Sequence, residues 1–361
     1  MGRRGNPPPL FFFGAMSAPS AVCLLVAVAA APLLAVRGSG VAAGEESAPR
    51  AAQEFRAGVE LVYVPVTVKD AAGRFVPTLT RDDFVIQAQD VEQTLAVFTG
   101  ERVPVSLAMV LDVSSSMQGQ RISEAVKALR VLVGERLGPE DEVLLFTFGT
   151  SPTKVHGWTS DRARLQRSLE TIEVGGDTAL YQALIEAAEQ TRTARHIRRA
   201  LLVISDGNAT DAADAMGLPT RMPGPDVLPP PLPSARLGFD REHRARSLIA
   251  RRELLVYAIG IDAPYQGPYR GGRADHVDAE ALRRLTDDTG GYTEVIASSS
   301  DLPAVTRRLA DELDRHYLLG FVSSLPQDGK HHRIRVEVRG HPEYRVRARV
   351  GYIAEKPKDG R

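Results

Sequence analysis

Asp112-Val113-Ser114-Ser115-Ser116 follows directly on the apolar run Val105-Ser106-Leu107-Ala108-Met109-Val110-Leu111. Such a run reads as a fully buried strand. A carboxylate and two hydroxyls, all hard oxygen donors, therefore stand at the C-terminal end of a central strand, where open α/β sheets bind their ligands. Two further pieces follow: Gly175-Gly176-Asp177-Thr178-Ala179-Leu180-Tyr181, and Leu201-Leu202-Val203-Ile204-Ser205-Asp206-Gly207, again a buried strand that runs into an acidic turn. Alone, D-x-S-x-S is a weak pattern, because a strand end followed by serine helix caps gives the same residues. Three pieces in this order, two of them on strand ends, make a much stronger signal.

The elements around these pieces have a clear rhythm. From Pro104 to about His316, buried strands (105–111, 142–148, 200–205, 254–260, 292–296) alternate with amphipathic helices near 120–136, 161–171, 179–194, 241–252, 278–288 and 301–316. That alternation predicts a mostly parallel sheet with helices on both faces. The flanks are different. Residues 59–69, 83–87 and 93–98 read as strands, as do 317–322 and the alternating stretches 333–339 and 344–350. Neither flank has enough strands for a stable sandwich of its own. The fold class expected is therefore α/β, a Rossmann-like domain over 101–316 inserted in a small β-sandwich-like domain built from 58–100 and 317–353, with a tail over 354–361. The arginines of 333–349 read as the solvated face of strands. Two long loops, Met216 to Gly238 (Pro-rich) and Asp262 to His276, leave the same sheet edge as the acidic pieces.

The N-terminus carries Arg3 and Arg4, an apolar segment from Ala21 to Val36, and the small residues Val41-Ala42-Ala43 before Gly44. This is the pattern of an export signal over 1–43, followed by a flexible linker over 44–57. The competing reading is an uncleaved anchor helix, against which Pro19 and Pro32 argue. Export places the protein in the periplasm or outside the cell, with contact to a membrane only if the leader stays attached. Cys23, the single cysteine, lies in that leader, so no internal disulfide exists. Lys+Arg 45 balances Asp+Glu 45, and nothing in that balance points to nucleic acid.

Together the three pieces resemble the metal-ion-dependent adhesion site of von Willebrand factor A domains. The flanks extend the likeness to a related family found in acidobacterial and similar genomes. They contain Val64-Pro65-Val66-Thr67-Val68-Lys69-Asp70, Leu79-Thr80-Arg81-Asp82-Asp83-Phe84 and Tyr317-Leu318-Leu319-Gly320-Phe321. The likeness spans about residues 58–353; Gln182 departs from it where many relatives carry Asp. It implies a site of Asp112, Ser114, Ser116, Thr178 and Asp206. These are oxygen ligands only, which suit Mg²⁺ or Mn²⁺ with water completing the shell, and no His or Cys is present to favour zinc. Two carboxylates leave such an ion unsaturated and ready to take a Glu or Asp from a protein partner. The function expected is therefore metal-dependent protein binding or adhesion without catalysis.

One rival reading is a hydrolase that uses the same metal, the other a structural module with a vestigial site. A phosphoaspartyl phosphatase would want an acid where Ser114 stands, and there is no G-x-S-x-G, H-E-x-x-H or P-loop. A base for Ser114 would have to come from a distant histidine such as His156 or His276. His331-His332 reads as an exposed turn in the β flank.

Overall fold

The structure, a computed structural model, describes residues 61–206, 233–262 and 277–356, all within the unit Arg56–Arg361. The export leader, the linker, most of both long loops, His276 and the last residues of the tail lie outside the described residues. The N-terminal flank supplies β1 (Leu61–Lys69), β2 (Phe84–Ala88), β3 (Val91–Glu92) and β4 (Leu95–Thr99). Next come β5 (Val105–Asp112), α1 (Gln120–Val131), β6 (Glu142–Phe148), β7 (Pro152–Thr159), α2 (Arg162–Glu170) and α3 (Leu180–Gln190). The α/β part continues with β8 (Arg198–Ser205), α4 (Pro233–Arg251), β9 (Leu255–Ile261), α5 (Ala279–Thr286), β10 (Tyr292–Ile296) and α6 (Leu302–Leu313). Finally, β11 (Tyr317–Val322), β12 (His331–Val338), β13 (Arg345–Arg347) and β14 (Gly351–Ile353) form the C-terminal flank.

Side chains alternate across a strand, and the central strands use both faces. The six-stranded sheet has the order β10-β9-β8-β5-β6-β7. From β5, Leu107, Met109 and Leu111 pack with α1, α2 and α6; from the same strand, Ala108 and Val110 pack with α3, α4 and α5. Burial on both faces is why these strands lack polar alternation. Each fully buried Leu or Val contributes roughly 1.5–3 kcal/mol relative to exposure, so the two layers hold the sheet edge that carries the acidic turns.

Two features of this part depart from expectation. First, β7, which the sequence did not suggest, pairs antiparallel with β6 at the sheet edge. Second, the helix expected from 241 begins at Pro233, inside the stretch read as irregular, and Pro suits a first helical turn. The helix expected over 120–136 is α-helical to Val131 and then widens into a π turn over Leu132–Arg136.

Strands from the two flanks share sheets. β1 pairs antiparallel with β11, and β11 with β4; β12 pairs antiparallel with β2. The resulting four-stranded sheets, β13-β1-β11-β4 and β14-β12-β2-β3, enclose a core that includes Val64, Val66, Ile86, Leu319, Phe321 and Tyr352. The fold is therefore α/β with a Rossmann-like domain inserted in a small β sandwich. The strand expected over 344–350 shortens to β13, which joins β1 in one sheet, and the chain then crosses to β14, beyond the expected strand, which joins β12 in the other. His332 is not in an exposed turn. It lies on β12, buried, with its ring nitrogens 3.2 Å from the Tyr352 hydroxyl and 3.1 Å from Asp328 Oδ1.

Candidate metal centre

The C-terminal ends of β5 and β8 lie side by side because the strands pair in parallel, with Leu111 opposite Ile204. Asp112 and Ser205 are the next residues on each. The Ser205 hydroxyl donates to Asp112 Oδ2 at 2.6 Å, and the Ser114 amide donates to Asp112 Oδ1 at 2.9 Å. Asp112 is fully buried and Asp206 nearly so. Burial pushes the Asp112 carboxyl up to about 7, and the negative charge of Asp206 adds to the effect. Two carboxylates are thus held close together, out of water.

The hydroxyls come from the turn that follows. Ser115–Met117 form one 3₁₀ turn, and the Ser114 and Ser116 hydroxyls lie 3.0 Å apart. Thr178 arrives on a separate loop, which backbone hydrogen bonds tie to this turn. The Gly175 amide donates to Val113 O at 2.7 Å, and the Ser115 amide donates to Gly176 O at 3.0 Å. Gly176 has φ +88°, and a Cβ there would stand 2.9 Å from the Thr150 amide nitrogen. Glycine is what lets the loop lie this close. Thr178 itself is buried.

The structure joins Asp112, Ser114 and Ser116 by direct hydrogen bonds, brings Asp206 within electrostatic reach of Asp112, and carries Thr178 on a loop locked to the same turn. The sequence reading did not single out Ser205 or Arg121. Arg121 is buried; its Nη1 donates to Ser116 O at 2.9 Å and lies 3.4 Å from Asp206 Oδ2. Ser205 is visible from the sequence only once the strand register is known, and Arg121 looks like any helix-surface arginine.

The donor set fits a hard divalent cation: every candidate ligand is an oxygen, and a positive ion would offset the cost of burying the Asp112 charge beside Asp206. Among the described residues no three His, Cys, Asp or Glu side chains cluster in a way that could hold a metal, so any ion here depends on two carboxylates helped by hydroxyls. Among the described residues, no histidine is paired with the Ser114 hydroxyl. That hydroxyl pairs with Ser116, while His156 sits on β7 opposite Leu145, its Nδ1 2.7 Å from Gly157 O. Gln182 Nε2 donates to Glu186 Oε1 at 2.9 Å.

A mostly parallel sheet between helices, with acidic turns at its C-terminal edge, defines a Rossmann-like domain. Residues 107–208 match the von Willebrand factor type A domain family, and the chain is a protein with such a domain. No curated protein matches the chain. Among solved structures, it is similar to the conserved hypothetical protein BatB from Bacteroides thetaiotaomicron, with 19% identity, 58% of this chain and 98% of that one covered, and a TM-score of 0.41. For the vWF domain of the type V pili tip protein Mfa5 from Porphyromonas gingivalis the values are 16%, 58%, 95% and 0.42. A von Willebrand factor type A structure from Catenulispora acidiphila is 12% identical, with 82% of this chain and 75% of that one covered and a TM-score of 0.45.

Proposed function

We propose that the protein is a non-catalytic binder that captures a protein partner through one divalent ion, Mg²⁺ or Mn²⁺. The ion would be held by Asp112, Ser114, Ser116, Thr178 and Asp206, and a Glu or Asp of the partner would complete its shell. The observation that carries this reading is the buried pair Asp112 and Asp206 beside the Ser114 and Ser116 hydroxyls at the open end of the sheet. A bound ion would supply a Lewis-acidic anchor for an external carboxylate. The chain's own residues do the rest. Ser205 and the Ser114 amide fix the Asp112 carboxylate, and the loop 175–178 fixes Thr178 against the turn. Support for a binding role over a hydrolytic one is that, among the described residues, the Ser114 hydroxyl pairs with the Ser116 hydroxyl and with no histidine.

The protein is proposed to work outside the cytoplasm, on the strength of the leader over 1–43. Calorimetry with Mn²⁺ tests the site. Wild type should bind one ion, and Asp112→Ala should bind none while keeping its circular dichroism, since the core layers do not include this residue. Equal Mn²⁺ affinity in the two proteins would overturn the assignment. Capture of an envelope protein that releases on chelation, without turnover of phosphatase or protease substrates, tests the binding role. A complex that survives chelator would place recognition elsewhere.

A further inference from the structure

Arg121 stands at the second position of α1, 7% exposed, with Nη1 shared between Ser116 O and Asp206 Oδ2. Helix physics does not favour it there. The first turn of a helix carries partial positive charge, which repels a cation, and a guanidinium taken out of water is costly unless paired. Both penalties are offset by Asp206, 3.4 Å away. Arginine cannot shed its proton in a protein, so the positive charge is permanent.

That charge changes what the site does with an ion. The two carboxylates alone would neutralise a divalent cation. With Arg121 beside Asp206, a loaded site keeps one net positive charge. We propose that Arg121 is the element that makes this site a joint receptor for a divalent cation and an acidic ligand: its fixed charge weakens the hold on the ion alone and leaves the loaded site cationic. The inference rests on the metal reading above. The physical basis is direct. The guanidinium and the ion compete for the same Asp206 carboxylate in a buried place where solvent screens them poorly. An incoming carboxylate removes the excess charge, so each of the two ligands strengthens the binding of the other, by the same factor.

The experiment is Mn²⁺ calorimetry on the full chain, with acetate as the probe carboxylate, for wild type, Arg121→Lys and Arg121→Gln. In wild type, acetate should tighten Mn²⁺ binding several-fold. In Arg121→Gln, Mn²⁺ alone should bind on the order of tenfold more tightly, and the effect of acetate should shrink. Arg121→Lys, which keeps the charge, should behave as wild type. Mn²⁺ affinity in Arg121→Gln equal to or weaker than wild type would overturn the proposal. So would a wild type indifferent to acetate, a result that stands even if a variant fails to fold. Absence of Mn²⁺ binding in every protein would instead overturn the metal reading itself, and this inference with it.

Discussion

The Ser205 hydroxyl donates a 2.6 Å hydrogen bond to Asp112 Oδ2 across the ends of two neighbouring parallel strands. Both residues are fully buried. The bond fixes the plane of a carboxylate that no solvent reaches, so the Asp112 carboxylate is held in one orientation. Ser205 lies just before Asp206, which means one short segment supplies both the second carboxylate and the device that aims the first.

Ser205→Ala should therefore weaken Mn²⁺ binding without removing any proposed ligand. A hydrogen bond to a charged group is worth about 1.5–3 kcal/mol, which converts to a loss on the order of tenfold or more. Calorimetry on the variant checks it. Unchanged affinity would mean that the Ser114 amide alone suffices to orient Asp112.

Gly176→Ala tests the coupling between the loop 175–178 and the serine turn. The site has φ +88° and no room for a Cβ beside Thr150. Strain of this kind costs about 1–3 kcal/mol. The expected result is a lowered melting temperature together with weaker ion binding, because the loop that carries Thr178 must move away from Ser115. A variant that loses stability but binds Mn²⁺ as wild type does would separate Thr178 from the site.

Glu312 joins α6 to the β sandwich. It is 1% exposed, receives Lys69 Nζ from β1 at 3.1 Å, and pairs with Arg347 of β13. Arg347 also lies over the Tyr292 ring, 4.7 Å from its centre. Removing one partner of a buried pair costs about 3–5 kcal/mol. Lys69 and Arg347 are each about a third exposed, with side chains 30% and 32% accessible, so water compensates part of the loss. Glu312→Gln should cost about 1–3 kcal/mol in urea unfolding, with β1 amides exchanging faster. No change in either would show that the apolar contacts alone hold the sandwich to the α/β part.

Much of this was legible from the sequence, for physical reasons. Buried strands such as 105–111 are continuous apolar runs, and the acidic turn after each is a local pattern, so Asp112 and Asp206 could be placed at strand ends. The flanks could be assigned to one β domain because their alternation leaves one apolar face each. What was hidden depends on long-range register. Alternation over 344–350 tells which face a residue takes but not which sheet, and here the chain crosses from one sheet of the sandwich to the other, bridged at Arg349 to Thr289. The edge strand β7 was missed because Lys154, His156 and Gly157 interrupt its β pattern and it pairs on one side only. Arg121 was missed because its partner, Asp206, is 85 residues away in the chain.

The final prediction concerns pH and a group far from the sheet edge. His316 is buried; Arg198 Nη2 donates to its Nδ1 at 3.1 Å, and its Nε2 lies 3.2 Å from the Tyr257 hydroxyl. An arginine can only donate, so Nδ1 must accept and the ring is neutral, with its proton on Nε2. Burial, reinforced by the Arg198 charge, holds its pKa well below the usual histidine value. In the unfolded chain the ring takes up a proton near pH 6.5. The folded state thus binds fewer protons than the unfolded state between its own lower pKa and about 6.5. Stability from this group is complete above that pH and is lost as the pH falls below it, at up to about 1.4 kcal/mol per pH unit. His316→Gln keeps an acceptor for Arg198 and a donor for Tyr257 but cannot titrate. Its unfolding free energy should fall less steeply than that of wild type between pH 6.5 and 5. Parallel slopes for the two proteins would show that His316 accommodates its proton in the fold.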